Sequence, residues 1–332
     1  MNIKKIGLTA LASSLVATSV YAGELTMSGS AKISWSGFDG NGRTAAQRDT
    51  ASGIGMDQEL SASGSAELDN GMTVSLSHAL TSTGSGSSTS SITLDMGDMG
   101  SLSFSDQDGG AGLAGLDDMT PSAYEEVWDG VNGGSTNGFT FAEMATGRGF
   151  GYSNTIGGAK ISAGWSDNLA GANNSDGSVL GAASSSSSTS VAVVYPVGDS
   201  GLTVYGGVGS EGQTDGKELD HTTIGAKYAF GPITVGYQVN DEDDTDSTST
   251  TTDLETQILG ISFAVNENLS ISYGKMDTDR DGSASDQETD GVSIGYSMGG
   301  MTISAYQNEV ENLAHSANST LEKTEILVTF AF

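Results

Sequence analysis

The chain has 332 residues, no cysteine, and 12 basic against 42 acidic residues, for a formal net charge of −30. Acidity on this scale opposes a phosphate-bearing partner, so no nucleic acid is expected. Without cysteine there is neither a disulfide framework nor a thiolate metal site.

In chain order the first segment is a leader. Lys4 and Lys5 supply a charged start, 6–20 is apolar apart from Thr and Ser, and Val20, Tyr21 and Ala22 form an A-x-A-like cleavage site. Residues 1–22 therefore read as a secretory signal peptide, too short and too polar to anchor the chain permanently in a bilayer. The mature chain is expected to begin at Gly23, still with 42 acidic residues but two lysines fewer.

From Glu24 onward helical periodicity is nearly absent and segments of period two follow one another. In ELTMSGSAKISW, residues 24–35, Leu25, Met27, Ala31, Ile33 and Trp35 share one side, and Thr26, Ser28, Ser30, Lys32 and Ser34 the other. The same texture recurs at 53–68, 72–80, 91–96, 101–105, 148–156, 159–166, 189–196 and 202–209. It continues at 222–230, 233–240, 254–265, 269–276, 291–298, 302–308 and 320–332, making sixteen strands in all.

Two kinds of connection alternate between them. Short turns rich in Gly, Asn and Asp lie at 69–71, 97–100, 157–158, 198–201, 231–232, 266–268 and 299–300. Long polar loops lie at 38–52, 81–90, 106–147, 167–188, 210–221, 241–253, 277–290 and 309–319. An even-numbered up-and-down sheet with both termini on the short-turn side gives this rhythm.

The fold class expected is therefore all-β: a transmembrane, antiparallel, sixteen-stranded barrel with short turns at one end and long loops at the other. Closure satisfies every backbone group inside lipid, with apolar residues outward and polar ones inward. The inward register is polar, as at Ser61, Ser63, Ser65, Glu67, Ser270 and Ser272, and sixteen strands enclose water rather than a side-chain core. The outward register carries Trp35, Tyr152, Trp165, Tyr195, Phe230, Tyr237, Tyr273, Tyr296, Phe330 and Phe332, which suggests interfacial girdles.

With these features the chain resembles a Gram-negative general-diffusion porin of the alphaproteobacterial, sixteen-stranded, trimeric type. The resemblance covers residues 23–332 and is carried by ELTMSGSAKISW, by GRGFGYSNTIGGAKISAGW at 147–165 and by the ending TEILVTFAF. It implies an outer-membrane location and a water-filled channel through which ions and small hydrophilic solutes diffuse. It also implies a homotrimer surrounded by outer-membrane lipid, and recognition of Phe332 by the outer-membrane assembly machinery. The outward Gly29, Ala31, Ala62, Gly64 and Ala66 form a flat strip that suits close approach of a neighbouring barrel.

The resemblance further implies that the third long loop, 106–147, folds into the lumen as a constriction. That loop carries Asp106, Asp108, Asp117, Asp118, Glu125, Glu126, Asp129 and Glu143, with no basic residue before Arg148. In the family such carboxylates face a ladder of basic side chains. Here the inward candidates are Lys32, Lys160, Lys227 and Lys323, and Arg148 falls on the outward parity unless a bulge shifts it. Cation selectivity is the expectation, since fixed negative charge attracts cations and repels anions. Leu113, Leu116, Tyr124, Val127 and Trp128 are expected to hold the loop against the wall.

No cofactor is required by any of this. Residues 277–288, DTDRDGSASDQE, nonetheless match an EF-hand loop in Asp277, Asp279, Asp281, Gly282 and Glu288, although the flanks are strands. Two readings stand: a structural Ca²⁺ on an outer loop, or a solvated acidic loop. Two rival functions would leave different marks. A surface adhesin or receptor barrel would display apolar loop tips. A barrel enzyme would need a nucleophile–base pair, and His78, His221 and His315 are each isolated.

Overall fold

The structure, a computed structural model, describes residues 25–81, 88–105, 111–131, 148–167, 187–212, 218–244 and 253–332. The leader, the proposed cleavage site, and Asp106, Asp108 and Glu143 lie outside these residues.

The strands are β1 (Thr26–Asp39), β2 (Gly53–Glu67), β3 (Thr73–Thr81), β4 (Ser88–Asp95), β5 (Ser101–Ser105), β6 (Arg148–Ile156), β7 (Ala159–Asp167) and β8 (Ser188–Pro196). They continue as β9 (Leu202–Gly212), β10 (Glu218–Phe230), β11 (Ile233–Asp244), β12 (Leu254–Ala264), β13 (Leu269–Arg280), β14 (Gln287–Met298), β15 (Met301–Glu311) and β16 (Thr320–Ala331). Each pairs antiparallel with its sequence neighbours, and β1 pairs with β16, so the sheet is a closed barrel. Closure continues to the last residue: Phe332 N donates to Gly29 O at 3.0 Å and Gly29 N to Phe332 O at 2.8 Å.

The apolar side of each strand faces outward. Leu76, Ile92, Val193, Ile224, Val235, Ile261, Ile294 and Ile303 are all exposed, and so are the aromatics Trp35, Trp165, Tyr195, Phe230, Tyr237, Tyr273, Tyr296 and Phe330. Away from the apolar patches under residues 111–131, the wall buries polar side chains inward, among them Thr223, Gln238, Asn240, Thr256, Thr278, Thr289 and Asn308. This inversion of a soluble core is what lipid outside and water inside require. No helix among the described residues is long and apolar enough to cross a membrane.

Three sequence expectations need correction. Strands β10, β11, β13, β14 and β15 run three or four residues further toward the long-loop end than alternation indicated, so the connection expected at 277–290 shrinks to 281–286. The reason is chemical: above the apolar band the outward positions become Asp and Glu, and the contrast between faces vanishes while the ladder continues. The loop expected at 38–52 contains a helix, α1 (Ala45–Ala51), capped by Thr44 and Gln47 in a reciprocal capping box. Finally, the small strip is not flat at Gly29, because a Cβ there would lie 2.7 Å from the Phe332 ring.

Candidate functional site in the lumen

Residues 111–131, between β5 and β6, lie against inward-facing side chains around much of the wall. The segment opens as a 3₁₀ stretch over Gly112–Met119, whose Leu113 and Leu116 are buried with Ala192 and Tyr205. Leu113 N donates to Ser190 Oγ at 3.1 Å and Ser162 Oγ to Gly112 O at 3.4 Å. Further along, Val127 and Trp128 pack on Ile258 and Met276, and Val131 joins Val310, Leu313 and Leu321. Burial of these side chains offsets the conformational entropy of holding an irregular segment across a pore.

Backbone can approach the wall this closely because inward positions on its path are glycine. A Cβ on Gly236 would sit 2.5 Å from Pro121 Cδ, and one on Gly260 would sit 2.8 Å from Pro121 O. Polar anchors complete the attachment: Ala123 N donates to Ser272 Oγ at 2.9 Å, and Asn308 Nδ2 donates to Glu126 O at 2.8 Å and Asp129 O at 3.1 Å.

This segment gathers the acidic residues. Carboxylate oxygens of Glu125, Glu126 and Asp129 lie within 4.8 Å of one another. Glu126 N donates to Asp129 Oδ2 at 2.8 Å and Ser122 Oγ to Glu126 Oε1 at 3.2 Å. Burial, reinforced by the neighbouring Asp118 and Asp129 charges, pushes the Glu126 carboxyl up to about 8. Burial likewise raises Glu125 and Asp129, with hydrogen bonds from the Glu126 backbone and the Glu125 and Glu126 side chains, and then the Lys323 charge, pulling Asp129 back in part. The Tyr124 hydroxyl, raised by burial, donates to Glu325 Oε1 at 3.4 Å.

The wall answers with β16. Lys323 Nζ pairs with Glu325 Oε2 at 2.9 Å and lies 5.1 Å from the Tyr306 ring centroid and 5.7 Å from that of Phe38. Gly130, at φ +72°, packs directly on the Lys323 side chain. Between segment and wall, toward the short-turn end, lies a space of about 600 Å³ lined by Asp118, Tyr124, Glu125, Glu126 and Lys227. Lys227 thus lines the same space as the acidic segment, from the barrel side. Asp117 is half-buried on the 3₁₀ stretch.

The remaining sequence-selected residues are dispersed. Lys32 faces inward on β1, across from Asp57 and Thr329. Lys160 is the second residue of β7, beside the turn at 157–158, and is not among the residues lining the 600 Å³ space. Arg148 opens β6 in regular register with Asp167, two residues before the outward Phe150, with no bulge in the pairing. Asp277 and Glu288 face each other across β13 and β14, with Lys275 Nζ 3.1 Å from Asp277 Oδ1 and 3.4 Å from Glu288 Oε2. Asp279 is on the same strand and Asp281 in the turn, so the four do not converge on one point as a chelating loop does. Residues missed from sequence are Glu325, Tyr306 and Asn308, whose only signal was inward parity.

A family model described as Gram-negative porin matches residues 7–313. The chain belongs to the Gram-negative porin family. As a Gram-negative porin it resides in the outer membrane and forms a general-diffusion channel. Its fold is shared with an anion-selective porin from Comamonas acidovorans, at 14% identity and a TM-score of 0.68, covering 93% of this chain and 99% of that one. A porin refined at 1.8 Å resolution aligns at 18% identity and TM-score 0.62, covering 93% and 100%. A mutant of Rh. blastica porin aligns at 15% identity and TM-score 0.63, again over 93% and 100%. No curated protein matches this porin in sequence. At these identities the solved structures speak for the fold alone, and the sign of the selected ion rests on this porin's own side chains.

Proposed function

We propose that this porin is a cation-preferring channel for ions and small hydrophilic solutes, with residues 111–131 as its constriction. The observation that carries the reading is the cluster of Glu125, Glu126 and Asp129 on a segment that contains no basic residue. Lys227 and Lys323 approach it from the wall, and Glu325 already neutralises Lys323. The balance of fixed charge at the narrowing is negative, which concentrates cations and repels anions. The related anion-selective porin has the same fold, so charge placement and not architecture sets the sign.

Protonation grades this preference. With Glu126 at about 8, its carboxyl is largely neutral at pH 7 and ionises as the pH rises further. Cation preference should therefore increase between pH 6 and 9. Neutralising Asp117, Asp118, Glu125 and Glu126 together should move the zero-current potential in a salt gradient toward zero or the anion side. An unmoved potential would contradict the assignment.

The assembly reading is a homotrimer in which the Ala31, Ala62, Gly64 and Ala66 strip of β1 and β2 faces the threefold axis. Current steps closing in groups of three would support it, and crosslinks placing these positions uniformly against lipid would refute it. Recognition of Phe332 by the assembly machinery predicts that Phe332→Ala lowers insertion in cells. The apolar residues of the constriction segment are used on the barrel wall, which leaves them unavailable as an adhesin's receptor-binding tip. Calcium at 277–288 is a separate proposal; an ion there has to displace the Lys275 ammonium. Removing Asp279 and Glu288 should then abolish calorimetric calcium binding.

A further inference from the structure

His221 has surroundings that the other two histidines lack. His78 shares a 2.6 Å hydrogen bond with Ser90 Oγ, and His315 Nδ1 lies 3.1 Å from Ser285 O. His221 is inward-facing on β10 and only 5% exposed, yet neither ring nitrogen has a hydrogen-bond partner. Two carboxylates flank it on opposite sides: Glu211 Oε2 of β9 lies 3.8 Å from Nε2, and Glu242 Oε2 of β11 lies 3.8 Å from Nδ1. Both distances exceed a hydrogen bond. Next to it on the same face, Thr223 Oγ1 and Gln238 Nε2 donate to Asn240 Oδ1, so those polar groups are engaged with one another.

An imidazole nitrogen beside one carboxylate, with its second nitrogen toward another, is how metal-bound histidines are held. One carboxylate joins the imidazole on the ion while the other accepts the remaining ring N–H and orients the ring. The spacing agrees. Two ligand atoms each about 2 Å from one ion at a tetrahedral angle are about 3.4 Å apart. Closing 3.8 Å to that value takes a shift of a few tenths of an ångström.

We propose that Glu211 and His221 bind a borderline transition-metal dication such as Zn²⁺ in the outer half of the lumen, with Glu242 positioning the imidazole. Water from the lumen completes the coordination shell. An imidazole donor favours such ions over Mg²⁺ and Ca²⁺, which select all-oxygen sites. The site is distinct from the Glu125, Glu126 and Asp129 cluster, and it does not depend on that cluster being the constriction.

The test is calorimetry of the folded, detergent-solubilised porin with Zn²⁺ in excess Mg²⁺, done in a Glu125→Gln/Glu126→Gln/Asp129→Asn background to remove the other carboxylate group. One ion should bind per chain. His221→Gln and Glu211→Gln should each weaken binding at least tenfold, and Glu242→Gln about tenfold. In parallel, Cu²⁺ electron paramagnetic resonance of the unmutated protein should show nitrogen coupling from one imidazole, a readout independent of whether any variant folds. Zn²⁺ binding that survives His221→Gln, displacement by Mg²⁺, or a Cu²⁺ spectrum without nitrogen coupling would overturn the proposal.

Discussion

At the scale of single residues, the proposed constriction depends on a few side chains and on the absence of others. Glu126 sits among carboxylates in a partly buried place, and its protonated form is favoured over the range from the ordinary 4.5 up to about 8. The folded state thus holds a proton that the unfolded chain releases, so this group's contribution to stability is full below 4.5 and declines as pH rises through 8. Glu126→Gln fixes the neutral form. It should flatten the pH dependence of ion preference between 6 and 9, and a variant retaining the full slope would show that another group is titrating. The missing side chain at Gly260 matters as much. Gly260→Val must push the Pro121 backbone off the wall, and single-channel conductance should change measurably while the barrel still forms. Unchanged conductance would mean that this stretch does not limit the flow. The acidic residues of the candidate site were legible because the family resemblance pointed to the third long loop, where they cluster between 117 and 129. Their partners Tyr306, Asn308 and Glu325 were not, since nothing local links a strand near the C-terminus to a loop almost two hundred residues earlier.

At the scale of elements, the strands illustrate where period two is informative. It marks lipid-facing stretches reliably, because the bilayer demands an apolar side chain at every second position. Once a strand rises above the apolar band, outward positions in this porin become acidic, and the outer ends of β10, β11, β13, β14 and β15 look like loops. The register then sets like charges opposite one another: Asp220 with Asp243, Asp241 with Glu255, Glu255 with Asp279, Glu288 with Glu311, and Glu309 with Glu322. Facing like charges oppose pairing and are screened by salt. Thermal stability of the folded barrel should consequently rise with ionic strength. The triple change Asp241→Asn, Glu255→Gln and Asp279→Asn should reduce that dependence, and an equally salt-sensitive variant would place the repulsion elsewhere. His221 was lost to the sequence reading for the same reason. Glu218 and Asp220 made its stretch resemble a loop, although Leu219, His221 and Thr223 keep the inward parity of β10.

At the scale of the molecule, strand number, chain order and closure follow from the alternation and from the two kinds of connection. Lipid outside and water inside leave a chain of this composition few other solutions. What the architecture leaves open is which ion the lumen prefers, and here residues 111–131 bring carboxylates together where the wall offers few cations. The most direct test is a planar bilayer holding the unmutated porin across a potassium chloride gradient at neutral and at mildly alkaline pH. The account predicts stepwise, ohmic conductance with a zero-current potential of the sign set by potassium, larger at the higher pH. A potential of the sign set by chloride, or a membrane that stays silent, would contradict it.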